Sequence, residues 1–358
     1  MYKSNLHPPK MWRHSLPNTN PHCEQALIYS RPSMNNVPFT RIITPSAKRR
    51  KYTERGDEQH TVVFQYYRRE LIESIEFLID TITPGEIEEY VFLFVGAAPG
   101  YDVAYLRKLF PSLRFVLFDP KPIVVDIEGP TEIHQEFFTD EWAHRLKEEF
   151  NLKRILLQCY TRISSHKLES NLQMIQNWHT IMGVYRGAYE VTLPYNSDGT
   201  TTFTKGDLYF PVWSKPAGAD CRLITDAHTT QTIALDHRRH EEAMAYFNCI
   251  TRTCVYLNEF KLPSVYDECY DCTAEKRILF SYISKFLGIK DLNRARQELR
   301  LLSLDIHQYF CNECPQLPDW FVGGDRSRSR HPRTQRPTQR TLRSQNDSDS
   351  TPNDIYDQ

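Results

Sequence analysis

Val91-Phe92-Leu93-Phe94-Val95-Gly96-Ala97-Ala98-Pro99-Gly100 decides the fold. Five apolar residues in a row leave no polar face, which suits a strand of a parallel sheet covered on both sides. Two glycines then interrupt the chain, and a helix is read from Asp102 to Phe110. A second strand, Arg114 to Phe118, ends on Asp119, nineteen positions after Gly100. Strand, glycine loop, helix, strand and acid form a grip for a nucleoside. Gly96 and Gly100 bare the backbone where a ligand lies, and the helix start offers free N–H groups with a positive dipole end. An acid at the end of the second strand can accept both hydroxyls of a ribose. The loop is not G-x-G-x-x-G, which argues against NAD, and it has no Gly-Lys-Ser/Thr, so it is not a P-loop. The bland alternative is a tight turn with a helix-capping acid.

Upstream, Val63, Tyr67, Leu71, Ile75 and Leu78 recur at helical spacing, and Thr83-Pro84-Gly85 marks a turn. Downstream, strands ending near Ile133, at Ile155–Leu157, Ala188–Leu193 and Arg222–Thr225 alternate with helices at Trp142–Phe150 and Met174–Met182. The alternation predicts a doubly wound, mostly parallel α/β sheet. Helices at Glu241–Leu257, Ala274–Leu287 and Leu292–Tyr309 predict a helical C-terminal part over about residues 240–320. The expected organisation is a disordered arm over 1–56, one domain over 57–320, and a disordered tail over 321–358. Arg326, Arg328, Arg330, Arg333, Arg336, Arg340 and Arg343 punctuate that tail.

The chain has 358 residues, 40% hydrophobic and 12% aromatic, enough for a real core. Its net charge of −1 supplies no overall field for nucleic acid, so any RNA grip must be local. Lys48-Arg49-Arg50-Lys51 is one such run, read as a solvated linker, a nuclear-import signal or an RNA contact. No apolar run reaches membrane-spanning length and the N-terminus lacks a secretory core, so neither a membrane span nor secretion is expected. Nine cysteines without a signal peptide point to reduced thiols.

Longer stretches carry a family resemblance: Phe94–Arg107, Gly206-Asp-Leu-Tyr-Phe-Pro211, Ala219-Asp-Cys-Arg-Leu-Ile224, Met244-Ala-Tyr-Phe-Asn248 and Lys276–Ile289. Over Val62 to Gly288 the sequence resembles the poxvirus protein family that combines cap-specific mRNA 2′-O-methyltransferase activity with service as the regulatory subunit of poly(A) polymerase. The resemblance implies a Rossmann-like class-I methyltransferase fold, S-adenosylmethionine as cofactor, capped mRNA as partner, a poly(A) polymerase catalytic subunit as a second partner, and a viral protein of the host cytoplasm. The Lys48–Lys51 run leaves the nucleus open.

By that resemblance the cofactor contacts fall on Gly96, Ala97, Ala98, Pro99, Gly100 and Asp119. Lys121 replaces an arginine, and a bulkier Phe138 replaces a small residue against the adenine. The catalytic Lys-Asp-Lys-Glu set falls on Arg69 (Arg68 with a one-residue slip), Cys159, Glu190 and Asp220. The central lysine, which helps to deprotonate the ribose 2′-hydroxyl, is therefore a glutamate. Lys167 and Lys205 are the possible substitutes. The cap pocket falls on Tyr195, Asp198 (with Ser197 in direct register) and Glu241, and the second ring, in the arm, aligns with nothing; Tyr29 is a guess. Surface residues and a core thiol are the plain readings of these positions.

Cys269-x-x-Cys272 and Cys311-x-x-Cys314 could together offer four thiolates to zinc, although the spacing between them exceeds that of a zinc ribbon. Unligated reduced thiols are the alternative. Three functions stay open: an RNA-binding subunit with methyl transfer lost, an active cap 2′-O-methyltransferase with an atypical catalytic set, and a structural protein that kept only the fold.

Overall fold

The computed structural model describes residues 38–52, 65–160, 168–194, 196–214, 218, 220–254, 256 and 269–313. Most of the arm and the whole 321–358 tail lie outside these residues.

Helix α1 (Tyr66–Thr81) leads through a short 3-10 turn (Pro84–Glu89) into β1 (Tyr90–Val95). There follow α2 (Tyr101–Leu109), β2 (Arg114–Phe118), β3 (Thr131–His134), α3 (Asp140–Glu149), β4 (Arg154–Cys159), α4 (Leu168–Met182) and β5 (Arg186–Thr192). The second half holds β6 (Thr200–Thr204), β7 (Gly206–Tyr209), β8 (Asp220–Thr225), β9 (Thr232–Asp236), α5 (His237–Cys249), α6 (Tyr270–Lys285) and α7 (Leu292–Glu313).

The main sheet runs β3-β2-β1-β4-β5-β8-β7. Its first five strands are parallel, and β8 lies antiparallel to both β5 and β7. The chain winds outward from β1 to β3, then returns to the other side of β1 through β4 and β5. This doubly wound order, with one reversed strand near the far edge, is the Rossmann-like class-I methyltransferase fold that the sequence predicts. Its switch point lies between β1 and β4, at the carboxyl ends of the parallel strands, where such folds bind ligands. Strands β6 and β9 form a separate antiparallel pair.

Strand alternation divides the core in two. On one face Phe92, Phe94 and Leu156 pack with α1, α2, α6 and α7 through Leu71, Ile75, Leu106, Leu279 and Leu299. On the other, Leu93, Leu157 and Val191 pack with α3 and α4 through Leu146, Ile175 and Trp178. Every residue of β1 is buried, as its unbroken apolar run requires. Helix α1 is unusual because Arg68, Arg69, Glu70, Glu73 and Glu76 are buried along with its apolar residues. Burying a charge is costly unless it is paired. Arg68 makes a two-pronged pair with Glu275 at 2.7 and 2.6 Å, and Arg41 makes another with Glu76 at 2.8 and 2.7 Å.

Residues 38–52 depart from the expected disordered arm. Ile43 donates its N–H to Leu208 O, Phe210 donates to Arg41 O, and Arg50 donates to Glu242 O. The folded body therefore already includes Phe39, which packs on the core. Backbone bonds to β7 and α5 hold this segment, and they leave no periodic trace in the sequence.

Candidate functional site

The glycine loop closes β1 at the carboxyl edge. Gly96 has φ +90°, and a Cβ there would lie 2.1 Å from the Tyr160 carbonyl oxygen. Gly100 has φ +95° and begins α2. A Cβ on Gly100 would lie 2.7 Å from Ile123 Cγ2. The space that these glycines leave is thus filled by their own chain. Ala97, Ala98 and Pro99 complete the turn, and Val124 donates its N–H to Pro99 O at 3.0 Å.

Asp119 ends β2, half-buried, and both of its carboxylate oxygens accept backbone N–H groups. Ala98 N is 3.0 Å from one and Lys121 N is 2.8 Å from the other. A carboxylate keeps acceptor capacity beyond two bonds, so the acid still suits ribose hydroxyls. Beside it, Ile123 packs against Gly100 and covers that side of the loop. Lys121 is exposed beside the acid. Phe138 is buried between Phe118 and Trp178, edge to face with each at 4.9 Å, and serves the core of the α3–α4 face.

Three of the four catalytic-set positions converge at the same edge. Arg69, on the first turn of α1, reaches Glu190 of β5 at 3.1 Å, Glu73 at 3.4 Å and Asp220 of β8 at 3.8 Å. Glu70, Arg222 and Tyr160 join them. Arg222 lies 3.3 Å from Glu73 and 3.8 Å from Glu70, and neither of its terminal nitrogens makes a hydrogen bond. Its guanidinium also stacks on the Tyr160 ring at 4.7 Å, and the Tyr160 hydroxyl donates to Glu73 at 3.3 Å. Two guanidinium groups therefore face four acids. Burial works against the Arg69 cation, but Glu73, Glu190, Glu70 and Asp220 together hold its pKa well above the ordinary value. Burial, reinforced by Glu190 and Glu73, pushes the Glu70 carboxyl well up against the pull of Arg69 and Arg222. Burial lowers Arg222.

Cys159 does not join them. Its side chain is buried on the opposite face of the sheet, among the residues packed on α3 and α4. Tyr160, one residue on, is the group from this strand end that reaches the cluster. Lys205 sits in the turn between β6 and β7, 3.6 Å from Asp226 and 3.2 Å from Gln231 Oε1. Since Gly206 pairs with Thr225 at the far end of β8 from Asp220, that turn lies at the opposite edge of the sheet. Lys167 lies outside the described residues.

Of the cap positions, Tyr195 and Tyr29 lie outside the described residues. Asp198 is exposed and accepts from Arg238 at 2.6 Å, which holds its carboxyl below the usual carboxylate range. Glu241, on α5, accepts the Asn196 N–H, and Ser197 meets His237 at 3.0 Å. Asp198 thus ends the 196–198 loop, and Glu241 braces the loop's other end from α5.

Among the described residues the cysteines do not come together as a metal site. Cys269 and Cys272 are buried in the core, and the Cys269 sulfur caps α6 by accepting the Cys272 N–H. Cys311 is exposed on α7, and Cys314 lies outside the described residues. Among the described residues no group of three or more ligating side chains could hold a metal ion, and no helix is long and apolar enough to cross a membrane. A separate cleft of about 320 Å³ opens toward the other end of α1, lined by Phe39, Arg41, Glu76, Asp80 and Arg277.

Solved structures with a similar arrangement include VP4 of bluetongue virus, described as a multifunctional RNA-capping production line. It is 12% identical with a TM-score of 0.35, over 62% of this chain and 40% of that one. The sugar N-methyltransferase KedS8 of Streptoalloteichus is 14% identical with a TM-score of 0.24, over 56% of this chain and 87% of that one. The chain thus spans about two fifths of the VP4 protein. No curated protein matches the sequence. The family model for the poly(A) polymerase regulatory subunit matches residues 46–300, most of the chain. The protein belongs to the poly(A) polymerase regulatory subunit family.

Proposed function

We propose that this protein is a viral mRNA-processing subunit that holds capped RNA for a poly(A) polymerase and no longer transfers methyl groups. The observation that carries the reading is Glu190. It stands where the resemblance requires the central lysine, and it is already paired to Arg69. Methyl transfer to a ribose 2′-oxygen needs a group that removes the hydroxyl proton as the oxygen attacks. A guanidinium is permanently protonated and cannot accept that proton. The glutamate accepts a hydrogen bond from Arg69 instead of presenting a tuned amine.

The remaining features agree. Ile123 lies across the glycine loop, which supports loss of turnover. Asp198, within the 196–198 loop, and Glu241, bonded to Asn196 of that loop, support retention of a site for a methylated guanine, whose positive charge suits carboxylates. Asp119 favours a narrower second reading, residual binding of S-adenosylmethionine without turnover. Work in the host cytoplasm, beside a polymerase catalytic subunit, completes the proposed reading.

The test is methyl transfer from labelled S-adenosylmethionine to a short capped RNA, with Asp119→Ala as control, beside binding of the same RNA in capped and uncapped form. The reading expects no incorporation and tighter binding of the capped RNA. Incorporation that disappears in the control would make the protein an active methyltransferase. Equal binding of the two RNAs would remove the cap from the proposal.

A further inference from the structure

The Lys48-Arg49-Arg50-Lys51 run is fixed in place. Arg50 donates its backbone N–H to Glu242 O at 3.0 Å, Arg49 pairs with the Glu242 carboxylate at 3.6 Å, and Arg239 donates to Pro45 O at 3.3 Å. These bonds lay the segment along the first turns of α5. That helix contributes Arg238 and Arg239, both exposed. Lys48, Arg49 and Lys51 are exposed as well.

Six cations (Lys48, Arg49, Arg50, Lys51, Arg238 and Arg239) are gathered beside four acids (Asp198, Asp236, Glu241 and Glu242). The acids are engaged locally: Asp198 with Arg238, Asp236 as the cap of α5, Glu241 with Asn196 N–H, and Glu242 with Arg49. Lys48 and Lys51 make no ion pair or hydrogen bond among the described residues. A protein with a net charge of −1 therefore carries a local cationic excess, and it adjoins the 196–198 loop through Arg238 and Asp198.

Charge excess on an exposed ridge with unpaired lysines suits a polyanion, and the adjoining loop suggests which one. We infer that Lys48, Arg49, Lys51, Arg238 and Arg239 form a phosphate-holding ridge that carries single-stranded RNA past the 196–198 loop. The inference rests on the RNA-binding reading above and adds the path of the backbone. Lysines on such a path bind phosphate without regard to sequence, and each neutralised phosphate contributes to the salt dependence of binding.

The experiment is fluorescence anisotropy of the full chain with one labelled single-stranded RNA, capped and uncapped, over a series of salt concentrations. The variants are K48Q/K51Q, which touches no bond of the fold, and Glu241→Gln. For the double variant, affinity for both RNAs should drop by the same factor, roughly tenfold at physiological salt. The slope of log K against log salt should become shallower by about 1.4, two contacts at about 0.7 each. Unchanged affinity and slope would overturn the ridge, as would a loss confined to capped RNA. Lysine-dependent binding of phosphatidylserine vesicles that exceeds RNA binding would also overturn it, by assigning the ridge to a membrane surface. Failure of the cap reading looks different: capped and uncapped RNA bind alike, Glu241→Gln changes neither, and the lysine effect persists.

Discussion

Gly100→Ala separates the two uses of the glycine loop. With φ at +95°, an alanine enters the left-handed region, at a cost of about 1–2 kcal/mol. Its Cβ also arrives 2.7 Å from Ile123 Cγ2 and 3.3 Å from Val125 Cγ2. Both contacts are side-chain methyl groups, so the overlap is an overpacking problem worth about 1–3 kcal/mol rather than a collision with backbone. The sum is a loss of about 2–5 kcal/mol, read by urea unfolding through tryptophan fluorescence, since Trp178 and Trp213 are buried. Ile123→Ala removes the obstructing methyl group, so G100A/I123A should be less destabilised than the two single changes together predict. The expected coupling is about 1–2 kcal/mol, within the range for residues in contact. A Gly100→Ala protein within about 0.5 kcal/mol of wild type, the usual range of harmless surface changes, would refute the packing of Ile123 on this loop. It would leave the glycine to a ligand, and cofactor binding would then be the property lost.

Two other outcomes follow from the buried charges. Glu275→Gln strips one end of a fully buried pair, leaving the Arg68 guanidinium at 2.6–2.7 Å from a neutral amide and weakening the bond from Trp213 Nε1. Breaking such a pair costs about 3–5 kcal/mol, measurable as a lower urea midpoint, and an unchanged midpoint would contradict the buried geometry. Glu70 sits above its ordinary value of 4.5 because of burial first, then Glu190 and Glu73. In the window above that value the native state holds a proton that the unfolded chain has released, so this group makes stability fall as pH rises. The stability difference between wild type and Glu70→Gln should therefore shift against wild type from about pH 5 to pH 8; a difference that stays constant with pH would show that Glu70 ionises normally.

The legible part of the fold was the part written in run length and punctuation. An unbroken apolar β1, two glycines and an acid at the end of β2 left few alternatives, and α1 announced itself through helical period. Strands β6, β7 and β9 went unread because they are four or five residues long and rich in Thr, Gly and Asp. The misplacement of Cys159 has a simple physical cause: strands alternate faces, so one residue decides which core a side chain enters. Cys159 faces α3 and α4, whereas Tyr160, just past the strand, turns toward α1. Glu70, Glu73 and Arg222 were overlooked, although a signal existed. Arg222 interrupts the apolar run Cys221-Arg222-Leu223-Ile224, and an arginine inside a buried strand demands a buried acid. Arg68, Arg69, Glu70, Glu73 and Glu76 in an otherwise apolar helix made the matching offer.

If the proposed RNA grip holds, the same charges argue where RNA would travel on this protein. At the carboxyl edge the rim is formed by Glu190 and Asp220, each with about a fifth to a quarter of its side chain exposed, and behind them lie Glu70 and Glu73. Arg69 and Arg222 are buried, and their charge is set against Glu73, Glu190 and Asp220. An RNA phosphate approaching this edge meets carboxylates first, and like charges at short range repel more strongly where water is scarce. A ribose cannot be presented there without its phosphates. On the α5 side the order is reversed: the acids are engaged by neighbours, and two exposed lysines make no ion pair among the described residues. If the chain retains the RNA grip of its family, the ligand's backbone belongs on the lysine side. On the proposed reading, Glu190 would both stand in place of the amine that methyl transfer needs and turn the backbone away from the edge where the transfer would take place.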